Sequence, residues 1–223
     1  MVWDALRPVL DSAPVDVVDI GGGTGGFAVR VAELGHRVSV VDPSPDALAA
    51  LDRRARELGV SVAGQQGDLS TLLDVTGPAG ADVVLCHGVL EVVDDPAAAL
   101  ATLREVLRPG GTLSLLVAQR HAAVVARAMA GHFAQALAML DDPAVGAGRG
   151  GHRFTHAEAA RLLTDAGFEV TAVHGVRVFA DLVPGALLDV EPGATAALVE
   201  LERAVSERAE YLPLATQLHL LAH

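Results

Sequence analysis

The sequence predicts an α/β fold, a seven-stranded, mostly parallel sheet with helices on both faces. Three observations predict it. Short valine-rich apolar runs, each bounded by turn residues, alternate with amphipathic stretches through the first 120 residues. These runs are nearly continuous in apolar character, as strands buried on both faces are. The connections between runs and helices are short, as repeated strand–helix units require. With 223 residues and 51% hydrophobic content, the chain can bury such a sheet within one domain spanning 1–223.

The first strand is expected at 15–20 (VDVVDI), then a glycine-rich turn and a helix over 25–34. The second strand, 37–42 (RVSVVD), ends at Asp42-Pro43, and Pro45 opens a helix over 45–58, since proline suits a first helical turn. A third strand at 60–66 precedes a short helix at 69–73. The fourth strand, 81–87 (ADVVLCH), leads to a helix over 96–107. Proline and paired glycines in RPGG, 108–111, stop that helix and turn the chain into a fifth strand at 111–118. The rhythm then changes. Residues 121–140 read as one long helix with a bend at Gly131, and 141–154 as a Gly-rich loop of the kind that forms lids. Thr155 with Glu158 three residues later is a capping box opening a helix that closes on Gly167. A strand at 168–179, a helix at 195–209 and a last strand at 215–222 complete the count.

Several function classes drop out. No apolar run approaches the roughly 18–20 residues that span a bilayer. The opening MVWDALRPVL carries an acid and lacks the basic n-region of a secretion signal, so a cytoplasmic protein without a membrane partner is expected. Cys86 is the single cysteine, which excludes an internal disulfide, and no Cys/His cluster has zinc-finger spacing, so no metal is expected. The net charge is −12, and all sixteen basic residues are arginine. A uniformly acidic surface repels nucleic acid. Residues 120–177, however, hold six arginines against five acids, a local +1 that leaves −13 elsewhere. Such arginines either coat solvated helix faces or gather around an anionic ligand.

The turn after the first strand, VVDIGGGTGGF, carries two overlapping signatures. Gly21, Gly23 and Gly26 spell the G-x-G-x-x-G of dinucleotide-binding folds, whereas Asp19, Gly21, Gly23 and Gly25 spell D-x-G-x-G-x-G. Glycines provide a tight turn and close backbone approach in either case. Charge separates the two. A pyrophosphate belongs over a helix N-terminus, and a carboxylate at Asp19 would oppose it. S-adenosylmethionine, with its sulfonium and ammonium, suits that carboxylate. Asp42, about 20 residues beyond the turn at a strand end, is placed to accept hydrogen bonds from both ribose hydroxyls; its alternative is a turn aspartate before proline. Asp68 either holds an exocyclic adenine amine or caps the short helix after it.

Those segments, together with VVDPS, GDLS, ADVVLCHGVLEVVDDP and LREVLRPGGTLSLLV, resemble the class I S-adenosylmethionine-dependent methyltransferases in order and spacing. The resemblance covers roughly residues 15–118. It implies a Rossmann-like fold and S-adenosylmethionine as cofactor. It places Asp19, Gly21, Gly22, Gly23, Thr24 and Gly25 around the methionine half, Asp42 and Pro43 at the ribose, Asp68 and Leu69 at the adenine, and Cys86 and His87 beside the sulfonium. His87 is alternatively a satisfied, half-buried histidine. The second half, through CHGVLEVVDDP, AMAGHFAQAL, GVRVFADL and LVELERA, is similar to the bacterial branch that methylates the carboxymethoxy group on a tRNA wobble uridine. Members of that branch carry a tyrosine–asparagine pair where this chain has Ala118-Gln119, and an aromatic ring there would stack on an RNA base. The arginine segment with which they hold the methionine carboxylate has no counterpart before the first helix.

The resemblance makes 15–118 the cofactor-binding core and 119–223 the acceptor side. The expected activity is methyl transfer to a small-molecule or RNA-borne acceptor, a carboxylate among the candidates, with tRNA as one partner and cofactor binding without transfer as the alternative. Methyl transfer is mainly a matter of positioning. A hydroxyl or amine acceptor needs a general base, whereas a carboxylate needs a clamp. The planar paired donors of arginine suit that clamp; Arg120, Arg153 and Arg177 are the candidates. His121 and His132, eleven apart and so about three helical turns from each other, are either bases or packed helix residues.

Overall fold

A computed structural model describes residues 1–11, 13–141, 151–189 and 192–223. Seven strands form one sheet in the order β3-β2-β1-β4-β5-β7-β6. The parallel part comprises β1 (Asp16–Ile20), β2 (Arg37–Asp42), β3 (Val62–Gln66), β4 (Ala81–His87) and β5 (Leu107–Ala118). β7 (Gln217–Ala222) inserts between β5 and β6 (Val170–Val176) and runs antiparallel to both. Strand order therefore reverses between β1 and β4, where open α/β sheets leave a crevice at the carboxyl ends of their strands.

A hydrophobic cluster packs on each face. One joins Val18, Ile20, Val84 and Cys86 to the helices α5 (Pro96–Val106) and α8 (His156–Asp165) through Leu100, Leu103 and Leu163. The other joins Val17, Val40 and Leu85 to α1 (Val2–Leu10), α2 (Ala28–Glu33) and α3 (Pro45–Leu58) through Leu6, Val29 and Leu51. Caps set the helix starts. Ser44 accepts the Ala47 amide ahead of α3, Asp95 accepts those of Ala97 and Ala98 ahead of α5, and Thr155 and Glu158 form the expected reciprocal box ahead of α8.

Several elements depart from the sequence expectation. β5, expected at 111–118 after a turn at RPGG, begins at Leu107 and takes 108–111 into the strand, with a register shift against β4 between Ala81 and Val83. The expected helix over 69–73 is displaced to α4 (Leu72–Thr76), because the Asp68 carboxylate captures the Ser70 and Thr71 amides in a turn of its own. The single helix expected over 121–140 is two, α6 (Arg120–Met129) and α7 (Phe133–Asp141), since Gly131 adopts φ +79° and leaves the right-handed region. α1, not among the expected helices, carries Asp4 in its first turn, where the carboxylate accepts from the Met1 nitrogen at 3.1 Å, and contains Pro8. A one-turn helix, α9 (Gly185–Leu188), precedes α10 (Ala194–Val205). The expected loop over 141–154 falls largely at 142–150, outside the described residues.

Candidate active site

Two cavities lie along the edge where the parallel strands end. The first, about 650 Å³, sits over the ends of β1, β2 and β4, a volume ordinary for a small-molecule site. Ile20 and Gly21 form its floor, Asp42 and Pro43 one side, Asp68 and Leu69 another, and the segment after β4 the far wall. The glycine turn is held tightly. The Gly21 amide donates to Val41 O at 2.7 Å, and the Gly23 amide to Asp42 Oδ2 at 2.9 Å. Asp42 Oδ1 accepts the Ser44 amide at 2.9 Å. A carboxylate offers about four acceptor positions, so about two remain for a ligand. A Cβ on Gly22 would lie 2.5 Å from Asp19 Oδ2, which places that carboxylate directly against the turn. Burial pushes the Asp19 carboxyl up to about 7, with the neighbouring Asp42 charge adding to the effect.

The second cavity, about 560 Å³, is lined by one face of α6 together with Arg153, Asp181, Leu182, Leu214 and Thr216. Its polar frame is built from backbone. Phe154 N donates to Ala118 O at 2.9 Å and Arg120 N to Phe154 O at 3.0 Å, so residues 152–154 run alongside the exit of β5. Glu91, 6% exposed, braces this junction: its Oε1 accepts the Ala118 amide at 2.7 Å and its carbonyl accepts the His152 amide at 2.6 Å. Burial raises the Glu91 carboxyl, opposed by the Ala118 amide and the Arg153 charge. Among the described residues nothing hydrogen-bonds Arg153 Nε or Glu91 Oε2, although both are buried. A buried donor without a partner is costly, and a ligand oxygen would satisfy it.

The other expected site residues divide clearly. Arg120, whose side chain is 12% exposed, is committed to Glu158, and Arg177 pairs with Asp181. His121 is exposed and lines neither cavity, whereas His132 lines the second. Thr24 is exposed on the turn. Of the expected cofactor residues, Gly21, Asp42, Pro43, Asp68 and Leu69 line the first cavity, whereas Asp19, Gly22, Gly23, Thr24, Gly25, Cys86 and His87 do not. Cys86 lies in the core, where burial pushes its thiol well above the usual value. His87 donates to or accepts from Ser114 Oγ through Nε2 at 2.8 Å and packs edge-on against Phe27. Burial lowers its pKa to about 4, so it is neutral at physiological pH.

Comparison with known proteins decides the family. Residues 18–113 match a methyltransferase domain. Over a 230-residue alignment covering all of this chain and 86% of the relative, the sequence is 31% identical to tRNA 5-carboxymethoxyuridine methyltransferase of Escherichia coli (strain K12). The chain belongs to the class I S-adenosylmethionine-dependent methyltransferases. It is also 30% identical to a ubiquinone biosynthesis O-methyltransferase of Xanthomonas euvesicatoria pv. vesicatoria, over 77% of this chain and 73% of that one. The fold is shared with magnesium protoporphyrin IX methyltransferase of Synechocystis bound to S-adenosylhomocysteine (TM-score 0.66, 17% identity, 99% and 80% coverage). An S-adenosylmethionine-dependent methyltransferase of Mesorhizobium loti shares it too (TM-score 0.64, 20% identity, 99% and 96% coverage).

The donor set of this methyltransferase fits its cofactor. Among the described residues the first cavity is lined by Asp42, Asp68, Asp94 and Asp95 and by no basic side chain, which suits a cationic nucleoside and opposes a pyrophosphate. Gly23 has φ +55°, and a Cβ there would lie 3.9 Å from Asp42 Oδ2, so the turn passes in van der Waals contact with that carboxylate. Asp94, Asp95 and the apolar wall from Val89 to Val93 carried a signal in the quoted segment LEVVDDP. Spacing alone does not say which of their side chains faces the cavity. Among the described residues no helix is long and apolar enough to cross a membrane, and no His/Cys/Asp/Glu cluster could hold a metal.

Proposed function

We propose that this methyltransferase esterifies a carboxylate-bearing acceptor, with the 5-carboxymethoxyuridine of tRNA as the first candidate. The observation that carries the reading is Arg153, which lines the second cavity and whose buried Nε–H has no hydrogen-bond partner among the described residues. S-adenosylmethionine supplies an electrophilic methyl group. Asp42 holds the ribose with its remaining lone pairs, Asp19 and the turn from Gly21 to Gly25 take the cationic methionine half, and Pro43, Asp68 and Leu69 flank the adenine. In this division residues 15–118 serve the cofactor and 119–223 the acceptor. Arg153 fixes the acceptor carboxylate through planar paired donors. A carboxylate is already nucleophilic, so no general base is required, which agrees with His87 being neutral and tied to Ser114. The relative that spans the whole chain acts, by its name, on such a group.

The test is transfer of tritiated methyl into tRNA from cells lacking this esterification. Label in tRNA that is released by mild alkali supports an ester; alkali-stable label rejects a carboxylate acceptor. A second reading, a free small-molecule acceptor, is favoured by the lining of the second cavity, which among the described residues holds no phenylalanine, tyrosine or tryptophan to stack on a base and only the His132 imidazole. Label entering the small-molecule fraction of an extract and not tRNA selects it.

A further inference from the structure

The segment from Arg177 to Leu182 forms one wall of the second cavity through Asp181 and Leu182. It is an unfavourable piece of backbone to hold in place. Arg177 has φ +60°, a left-handed conformation that non-glycine residues adopt only when their surroundings enforce it. No strand ladder covers the three residues that follow. Their amides converge instead on a single side chain: Val178 N donates to Glu202 Oε2 at 2.8 Å, Phe179 N to Glu202 Oε1 at 2.8 Å, and Ala180 N to Oε1 at 2.7 Å. Glu202 projects from α10 and is 6% exposed. A carboxylate, having acceptors only, can take three converging N–H groups.

The far side of the segment is fastened by Thr216. Its amide and hydroxyl both donate to Arg177 O at 3.2 Å, and the hydroxyl lies 2.7 Å from Asp181 Oδ2. Arg177 itself closes on Asp181. Glu202 therefore orders, from outside the cavity, the residues that shape it within.

We propose that Glu202 is a positioning residue for acceptor binding: by gathering the amides of Val178, Phe179 and Ala180 it sets the wall against which the acceptor lies. This rests on the reading that the second cavity holds the acceptor. Glu202→Gln leaves one acceptor oxygen and turns an NH2 donor toward backbone donors, so the wall loosens while the cofactor side is untouched. Hydrogen exchange of the 178–182 amides is expected to accelerate at least tenfold, with β1 and β4 amides unchanged. Calorimetry should find S-adenosylmethionine binding within twofold of wild type. Methyl transfer, measured into esterification-deficient tRNA or into the small-molecule fraction if that is what wild type labels, should show KM raised about tenfold with kcat within threefold. Unaltered exchange at 178–182 overturns the proposal, as does a parallel loss of cofactor and acceptor binding. If Glu202→Gln fails to fold, Thr216→Val loosens the same wall from the other side and must give the same split. Wild-type protein that labels neither fraction overturns the acceptor reading alone, and the exchange result still decides whether Glu202 holds the wall.

Discussion

Asp42 Oδ2 accepts the Gly23 amide at 2.9 Å, so the carboxylate expected to bind the sugar also ties the end of β2 to the glycine turn after β1. Ligand contact and turn geometry are carried by one group. Asp42→Ala removes both, and charged hydrogen bonds of this kind contribute about 1.5–3 kcal/mol. Calorimetry should show S-adenosylmethionine affinity reduced at least tenfold. An unchanged dissociation constant would remove Asp42 from the site.

On the proposed cofactor site, Asp19 should give cofactor binding a pH dependence. Its carboxyl, pushed up to about 7 by burial and by the Asp42 charge, is half protonated near neutrality in the free protein. A cationic ligand favours the ionised form, so binding must displace the proton at lower pH. Affinity for S-adenosylmethionine should fall up to roughly tenfold per pH unit below about 7. Asp19→Asn should bind more weakly at pH 8 and lose the slope. Equal slopes in the two proteins would show that another group titrates.

Much of this was legible in the sequence, for identifiable reasons. Strands such as β1, β2 and β4 are buried on both faces, and continuous valine-rich runs announce that locally. Asp42 was legible because a strand end, a glycine turn and an acid fall at fixed spacing. The insertion of β7 between β5 and β6 was not, because pairing partners far apart in the chain leave no local mark. Arg120 and Arg153 show the same limit at the site. As sequence they are equivalent arginines in the second half; only the fold supplies Glu158 to one and leaves the Nε of the other without a hydrogen-bond partner among the described residues.

That difference predicts opposite phenotypes. Arg153→Ala should raise acceptor KM tenfold or more with little change in Tm, and Arg153→Lys should restore it only in part, since a point charge replaces a planar fork. Arg120→Ala should instead cost about 1.5–3 kcal/mol of stability, because it strips the partner from a Glu158 that also caps α8. Thermal denaturation beside initial-rate kinetics separates them. A matched loss of KM and Tm in both would contradict the assignment.

Gly25 tests the turn independently of any ligand. It has φ +73°, and a Cβ there would sit 2.1 Å from Leu51 Cδ1. Leu51 is 1% exposed and has little room to yield. Gly25→Ala should cost about 1–3 kcal/mol, seen as a Tm several degrees lower, and should weaken cofactor binding as well. A Tm equal to wild type would mean that the turn is more pliant than its packing indicates.

Acid stability follows from a row of histidines on one sheet face. His87 and His219 each place Nε2 2.8 Å from the single hydroxyl of Ser114, and His174 stacks on His219 with ring centroids 5.5 Å apart. Burial lowers the pKa of His87 to about 4; burial and the charges of His87 and His174 lower that of His219 to about 3; burial also lowers His174, with Glu207 opposing. His87 and His219 therefore stay neutral in the fold well below the value near 6.5 at which they titrate when unfolded, and His174 is shifted in the same direction. Their contribution is therefore complete above pH 6.5 and is lost as pH falls from there toward the folded values, because the unfolded chain then binds more protons. Asp19 and Glu91, whose carboxyls are raised in the fold, act in the opposite sense. At pH 5 the imidazoles take up protons on unfolding and the raised carboxyls release them, and the two strongly shifted histidines, His87 and His219, outnumber the one strongly shifted carboxyl, Asp19. Tm should accordingly decline between pH 7 and pH 5, and His219→Leu should flatten that decline. A Tm that is level or rises over the same interval would show that the carboxyls outweigh the histidines.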